Sequence, residues 1–348
     1  MTLRVIIYRL GVIPLLLLLC FLAACSQLDL DQEEQGMVSL KVLASPGTKA
    51  GEGGTATATL PAKETDIFDL SIFIFNSNGD VIGFTSQDFS DGKPTAVVAK
   101  TRKATGCSVY AVANAKTLNK GNSPFDGVST LSVFKTKYLS FADAKAPNND
   151  KCLLMMGVSS DFDTSSAGSA TITLKRLASR IDYTITVNND QTTGFPIVVD
   201  SYQLCNVPTS TLYQQSDFTS PSMPSSTTFA DFAKVSTSIS SVAAPTSAGT
   251  YYVYANNGTS EETYLDIQAH SEVQGTGTKY TVWKSNFQVK MPGNHVLPNY
   301  HYKIDIVING SVTGKDGGVI TTYNAYPYFS GSILNPWGPN ENKDLDLQ

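Results

Sequence analysis

Between Met37 and Gly310 the chain is a succession of short runs in which apolar residues alternate with polar ones, each broken within a few residues by Gly, Pro, Asn, Asp or Ser. A period of two puts every second side chain on one face of an extended strand, and runs this short leave little room for helices. Met37-Val38-Ser39-Leu40-Lys41-Val42-Leu43 reads as a first strand. Asp69-Leu70-Ser71-Ile72-Phe73-Ile74-Phe75 is a strongly apolar strand, and Asn76-Ser77-Asn78-Gly79-Asp80 turns it back into Val81-Ile82-Gly83-Phe84 as a hairpin. Cys107 to Ala115 is a third strand, and a short helix fits only between Ser129 and Ala144. Residues 171–187, TITLKRLASRIDYTITV, form one long strand or two in succession and mark the best candidate for a domain junction. Strands resume at Ile197–Leu204, Gly249–Tyr254, Thr263–Ala269, Tyr280–Lys284 and Asn299–Gly310. A chain of 348 residues exceeds a typical single domain, so the expectation is an all-β protein of two tandem β-sandwiches, residues 37–178 and 179–348. Residues 208–249, rich in Ser, Thr and Pro, read as a surface insertion with little core potential.

Residues 1–24 carry Arg4 and Arg9 ahead of an apolar core from Leu10 to Phe21, and end on Ala23-Ala24. This is the build of a secretory signal peptide, too short and wrongly flanked for a stable membrane span. Leu22-Ala23-Ala24-Cys25 resembles the bacterial lipobox, which implies that Cys25 becomes the acylated first residue of the mature chain and carries palmitate-type chains. An ordinary signal peptide with a chance cysteine is the other reading. Cys20 lies inside the apolar core and is discarded with it. Residues 25–36 form an acidic, polar tether that resembles the export tag of surface lipoproteins in the Bacteroidetes. Lipid on Cys25 would anchor the precursor in the outer membrane without spanning it.

Little in the rest of the chain points to chemistry. The formal charge is −5, and loss of a leader with two arginines and no acid makes the mature protein more acidic still, which argues against nucleic acid as a partner. His270, His295 and His301 lack the spacing of a helical zinc motif. Asp161-Phe162-Asp163 and Asp344-Leu345-Asp346 lack the longer loop pattern of a calcium site. Cys107, Cys152 and Cys205 are an odd, widely spaced set best read as buried thiols. No nucleophile elbow, phosphate-cradling loop or Cys/His constellation is present, so no catalytic residue, metal or cofactor is assigned. Asn257-Gly258-Thr259 and Asn309-Gly310-Ser311 match the N-glycan acceptor, which a bacterial lipoprotein normally leaves bare.

Several segments, in their order and spacing, together resemble the fimbrillin family, or type V pilins, of the Bacteroidales. They are SLKVLASPGTKA, LSIFIFNSNGDVI, CSVYAVANA, LLMMGVSSDF, LKRLASRIDYTI, YQLCNVP, YYVYANN and NYHYKIDIVINGS, and they run over nearly the whole mature chain. The resemblance implies two tandem transthyretin-like β-sandwiches. It also implies a route of assembly, in which a protease cuts after a basic residue in the loop following the first strand. That strand is lost, and a strand from the next subunit fills the groove it leaves. The matching bond here is Lys49-Ala50, with Lys in place of the commoner Arg, and the removable strand is Met37–Leu43 with Val38, Leu40 and Val42 as its apolar positions. The resemblance points to the C-terminal segment 317–348 as donor, either through Val319, Thr321 and Tyr323 or through Ile333 and Trp337. Pro327 and Pro336 equally allow both stretches to be ordinary edge strands of the second domain.

The function these features imply is that of a fimbrial subunit, exported as a lipoprotein precursor and polymerising by strand exchange with like or unlike subunits to support adhesion. The alternatives are a non-polymerising anchor that keeps its lipid, a tip adhesin with a host or bacterial surface ligand, or a glycan-binding surface lipoprotein. The last would need an aromatic platform, and Trp283 and Trp337 are far apart in sequence.

Overall fold

The structure is a computed structural model that describes residues 37–46, 61–141, 151–189, 196–240, 246–259, 261–274, 277, 279–310 and 327–334. The first strands are β1 (Met37–Pro46), β2 (Asp69–Phe75), β3 (Val81–Asp88), β4 (Val97–Arg102), β5 (Cys107–Ala113), β6 (Tyr138–Ser140), β7 (Met155–Phe162) and β8 (Gly168–Arg176). All but β6 join one sheet in the order β1-β4-β3-β2-β5-β7-β8, and β1 returns to β8, so the sheet closes on itself. Its interior is filled from Ile72 and Ile74, Val97 and Ala99, Val109 and Ala111, and Ile172 and Leu174. β2 is buried along its whole length, which explains why it is apolar from Ile72 to Phe75 on both faces, with Asp69 and Ser71 as its two buried polar residues. Leu70, Ile72 and Ile74 belong to the interior cluster, whereas Phe73 and Phe75 belong to a second cluster with Tyr110, Val112 and Met156. The turn after β2 is held by Asn76, whose Oδ1 accepts from the backbone N–H groups of Asn78 and Asp80.

That second cluster lies under a cap that includes the short helix Leu131–Thr136, within the stretch expected to be helical, and a further turn of helix at Ala115–Leu118 that the sequence pattern did not mark. Phe134 of the cap is fully buried among the rings of Phe73, Phe75, Tyr110 and Phe125, at centroid distances of 5.0, 5.7, 5.4 and 5.9 Å.

The remaining strands are β9 (Ala178–Asn189), β10 (Ile197–Cys205), β11 (Val207–Pro208), β12 (Ser210–Leu212), β13 (Phe229–Ala230), β14 (Val235–Ile239), β15 (Thr246–Tyr254), β16 (Tyr264–Gln274), β17 (Lys279–Lys290), β18 (His301–Gly310) and β19 (Pro327–Leu334). Residues 171–187 are thus two strands in succession, with Leu177 between β8 and β9. Two four-stranded sheets follow, β14-β10-β16-β17 and β15-β9-β18-β19. Their shared core takes Ile181, Ile185, Val253, Ile304 and Ile306 from one sheet and Val199, Leu204, Leu265, Ile267 and Val289 from the other, the arrangement of a β-sandwich.

One expectation is corrected. Residues 208–249 are not simply a solvated surface insertion, because Thr209, Ser210, Thr211, Tyr213, Gln214 and Gln215 are all buried. β12 pairs with β6 of the cap, and Tyr213 meets Phe125 at 4.9 Å. The polar side chains go inside because they satisfy one another: Thr209 with Thr228 at 2.7 Å, Ser210 with Thr227 at 2.9 Å. Replacement of Phe134 by Ala should remove the middle of the ring cluster and cost about 3–5 kcal/mol, read as a lower denaturant midpoint.

Candidate functional site

β1 is the strand that closes the first sheet. Along one edge it runs antiparallel to β4, from Met37 opposite Arg102 to Val42 opposite Val97. Along the other it runs parallel to β8, from Leu40 beside Gly168 to Pro46 beside Leu174. β4 and β8 both alternate, with Val97, Ala99 and Thr101 buried on one and Ala170, Ile172 and Leu174 on the other. Residues directly opposite one another in a sheet share a face. The register therefore sets Val38, Leu40 and Val42 against Thr101, Ala99 and Val97, and Val42, Ala44 and Pro46 against Ala170, Ile172 and Leu174. The three positions named from sequence are thus the register partners of the buried β4 residues Thr101, Ala99 and Val97.

Lys49 and Ala50, the candidate cleavage bond, lie outside the described residues, as does Cys25. The chain is described again from Pro61, and there it is tightly held. A short turn, Ala62–Glu64, carries Glu64, which is fully buried. Its Oε1 accepts from the Tyr252 hydroxyl at 2.6 Å and pairs with Arg180 Nη1 at 3.3 Å, while its backbone carbonyl accepts from Arg176 Nε at 2.8 Å. Arg176 is also fully buried, and burial brings its guanidinium down to about 10 against the opposing effect of Glu64. The Lys63 ammonium stands 3.9 Å from the centre of the Tyr252 ring. Arg180 continues the network to Asp182 at 3.0 Å, and Asp182 accepts from Thr250 at 2.6 Å and meets His301 Nε2 at 2.7 Å. Burial alone would raise the Asp182 carboxyl, but the hydrogen bonds from His301, Thr250 and Arg180 outweigh it and hold the group well below the usual carboxylate range.

Slightly further on, Asn114 fixes the same segment. It sits buried in a left-handed conformation at φ 67°, donates to the carbonyls of Asp66 and Leu153, and accepts from the Phe68 N–H. The stretch after the candidate cut is thus bound to β8, β9 and β15 by groups that do not involve β1. Sequence reading missed this ionic cluster; its signal was two arginines, Arg176 and Arg180, inside a junction otherwise reading as buried strand.

Of the candidate donor residues, Ile333 lies on β19 opposite Tyr302 of β18, at the edge of the β15-β9-β18-β19 sheet. Val319, Thr321, Tyr323 and Trp337 lie outside the described residues. His301 takes its place on a sheet face beside Asp182, Cys107, Cys152 and Cys205 are buried and in no disulfide, and no group of three metal-ligating side chains occurs among the described residues.

Residues 37–198 match the family model described as major fimbrial subunit protein (FimA). No curated protein matches the sequence. Among solved structures, a candidate cell adhesion protein from Parabacteroides distasonis aligns with a TM-score of 0.60 at 20% identity, covering 87% of this chain and 97% of its own. Another from Bacteroides eggerthii aligns with a TM-score of 0.59 at 18% identity, covering 86% and 96%. A second protein of this description from Parabacteroides distasonis gives 0.54 at 13% identity, covering 87% and 99%. At these identities the likeness is one of fold, and it extends across the closed sheet and the sandwich together.

Two outcomes test the cluster. Glu64→Gln removes a buried carboxylate facing two guanidinium groups and should lower stability by about 3–5 kcal/mol in denaturant unfolding. The folded Asp182 carboxyl holds its proton less tightly than the unfolded one, so its contribution is complete above the ordinary carboxylate range and is lost as pH falls through and below about 4. Asp182→Asn should flatten that part of the acid stability curve.

Proposed function

Because residues 37–198 match the model of the major fimbrial subunit family, we propose that this chain is a structural subunit of a cell-surface fimbria, exported as a lipoprotein and assembled by exchange of β1 for a strand of the next subunit. Cys25 carries the lipid that holds the precursor at the outer membrane. Cleavage between Lys49 and Ala50 frees β1, and the subunit passes into the filament. Its partners are other fimbrial subunits, of its own kind or mixed, and its role is mechanical and adhesive toward host or bacterial surfaces rather than catalytic.

The observation that carries this reading is the position of β1. It is the first described strand, it has backbone partners along both edges, and the candidate bond follows closely on its C-terminal end. Its loss would leave two strand edges unpaired and the row Val97, Ala99, Ala170, Ile172 and Leu174 open to water. A replacement strand recovers the main-chain hydrogen bonds and about 25 cal/mol for each Å² of apolar surface covered. The cluster around Glu64 favours the same reading, since it fixes the new N-terminal region on the subunit without help from β1.

Between the two donor stretches, sequence and register favour the first. Val319-x-Thr321-x-Tyr323-x-Ala325-x-Pro327 repeats the spacing Val38-x-Leu40-x-Val42-x-Ala44-x-Pro46 of β1, with Val, Ala and Pro identical at matching places. Pro327 lies opposite Ile308 of its own subunit, so only the residues before it could enter a neighbour's slot. Pro327 also opens β19, which ties the donor segment to its own subunit through β18.

The alternative is an anchor that keeps β1 and its lipid. Intact mass and N-terminal sequencing of sheared filaments and membranes separate the two. The expected result is a chain beginning at Ala50 in ladder-forming filaments, and Lys49→Gln should leave lipidated precursor in the membrane with the ladder abolished. Lipidated Cys25 termini in both fractions, with no ladder, would favour the anchor.

A further inference from the structure

The two neighbours of β1 are unusual in how little else holds them. β3 meets β4 at the single register pair Gly83 and Thr101, where the Thr101 hydroxyl donates to the Ile82 carbonyl at 3.3 Å. Just beyond, Thr164 accepts from the Ala104 N–H at 2.9 Å and donates to the Arg102 carbonyl at 2.9 Å. These contacts pin one end of β4. Among the described residues, its body, Val97 to Lys100, has sheet partners on β1 alone. β8 shows the same pattern at its opposite end. It pairs with β7 at Met155 with Arg176 and Met156 with Lys175, and the stretch from Gly168 to Leu174 has its register partners on β1.

Both pinned ends depend on a glycine. A Cβ on Gly83 would stand 2.8 Å from the Lys100 carbonyl oxygen, and one on Gly157 would stand 2.4 Å from the Thr173 carbonyl oxygen. β4 runs antiparallel to β1 and β8 parallel to it, so the pinned end of β4 lies beside Met37-Val38 and that of β8 lies beyond Pro46. The two walls are hinged at opposite ends of the slot. By contrast, β2 pairs with β3 and β5 along its whole length.

From this we infer that the slot of β1 is not a preformed groove but a two-jawed clamp, whose walls β4 and β8 swing on the Gly83 and Gly157 contacts and become ordered only on the strand between them. The inference deepens the strand-exchange reading above and rests on it for its biological meaning. A vacated clamp of this kind offers no stiff edge to a passing strand, because a strand that pairs with one jaw alone gains little until the other closes on it. Selection then falls on a strand that satisfies both edges and the interior row together.

Native-state hydrogen exchange on the full chain tests the clamp directly, because amides that open in one step share one protection factor. In the unmodified protein, β1, residues 97–100 of β4 and residues 168–174 of β8 should exchange with a common protection lower than that of β2 and β5. Leu40→Ala should speed all three by a common factor of about 30 or more and leave β2 and β5 unchanged. Acceleration confined to β1, with β4 and β8 keeping the protection of β2, would overturn the inference and restore a rigid groove. If Leu40→Ala does not fold, the protection pattern of the unmodified protein separates clamp from groove by itself. Failure of strand exchange in cells would show instead as a missing filament ladder and leave the common exchange of the three strands as it is.

Discussion

A sheet curled far enough to enclose a core has two edges that must either meet or be covered, and in this protein they meet through a single strand. β1 gives its antiparallel edge to β4 and its parallel edge to β8, and the interior row on both walls is buried because β1 completes the ring. Much else follows from that closure. The interior takes mostly aliphatic side chains from the strands, β2 is largely apolar on both faces, and the aromatic side of β2 and β5 is left for a separate cap to cover.

The cap shows how the two parts of the chain lean on each other. Its own helix supplies Phe134, but Tyr213 arrives from the stretch after β12, and the β6–β12 pair stitches the two stretches by backbone. Tyr252 and Tyr254 of the sandwich in turn complete the core of the closed sheet. With Glu64 buried against Arg176 and Arg180, the junction is packed and ion-paired rather than a hinge between independent bodies.

Which parts of this were legible in the sequence follows from range. The β2–β3 hairpin was legible because strand, turn and return strand are contiguous and Asn76 caps the turn with its own side chain. The short helix near Phe134 was legible for the same local reasons, and residues 171–187 read as strand without showing whether they made one strand or two. The parallel pairing of β1 with β8 was not, since nothing near Met37 marks residues 168–174 as its neighbours. Nor was the burial of Thr209, Ser210 and Thr211: hydroxyl side chains read as solvated until their partners Thr227 and Thr228 come into place. Glu64 was hidden in the same way, because a lone acid in a polar stretch gives no hint of two arginines more than a hundred residues on.

The continuity of β8, Leu177 and β9 has a mechanical consequence. In a filament built by filling the β1 slot, tension would reach β8 through a parallel register and pass along the covalent chain into β9, then by another parallel register into β18 and on to β19. Parallel strands pulled along their axes slide against each other, so the load is shared over every hydrogen bond of the register at once instead of being met one bond at a time. Such a line of force would run in shear along these registers, and Glu64, ion-paired to Arg180 and accepting from Arg176 at its backbone carbonyl, would brace it where it crosses from the closed sheet into the sandwich.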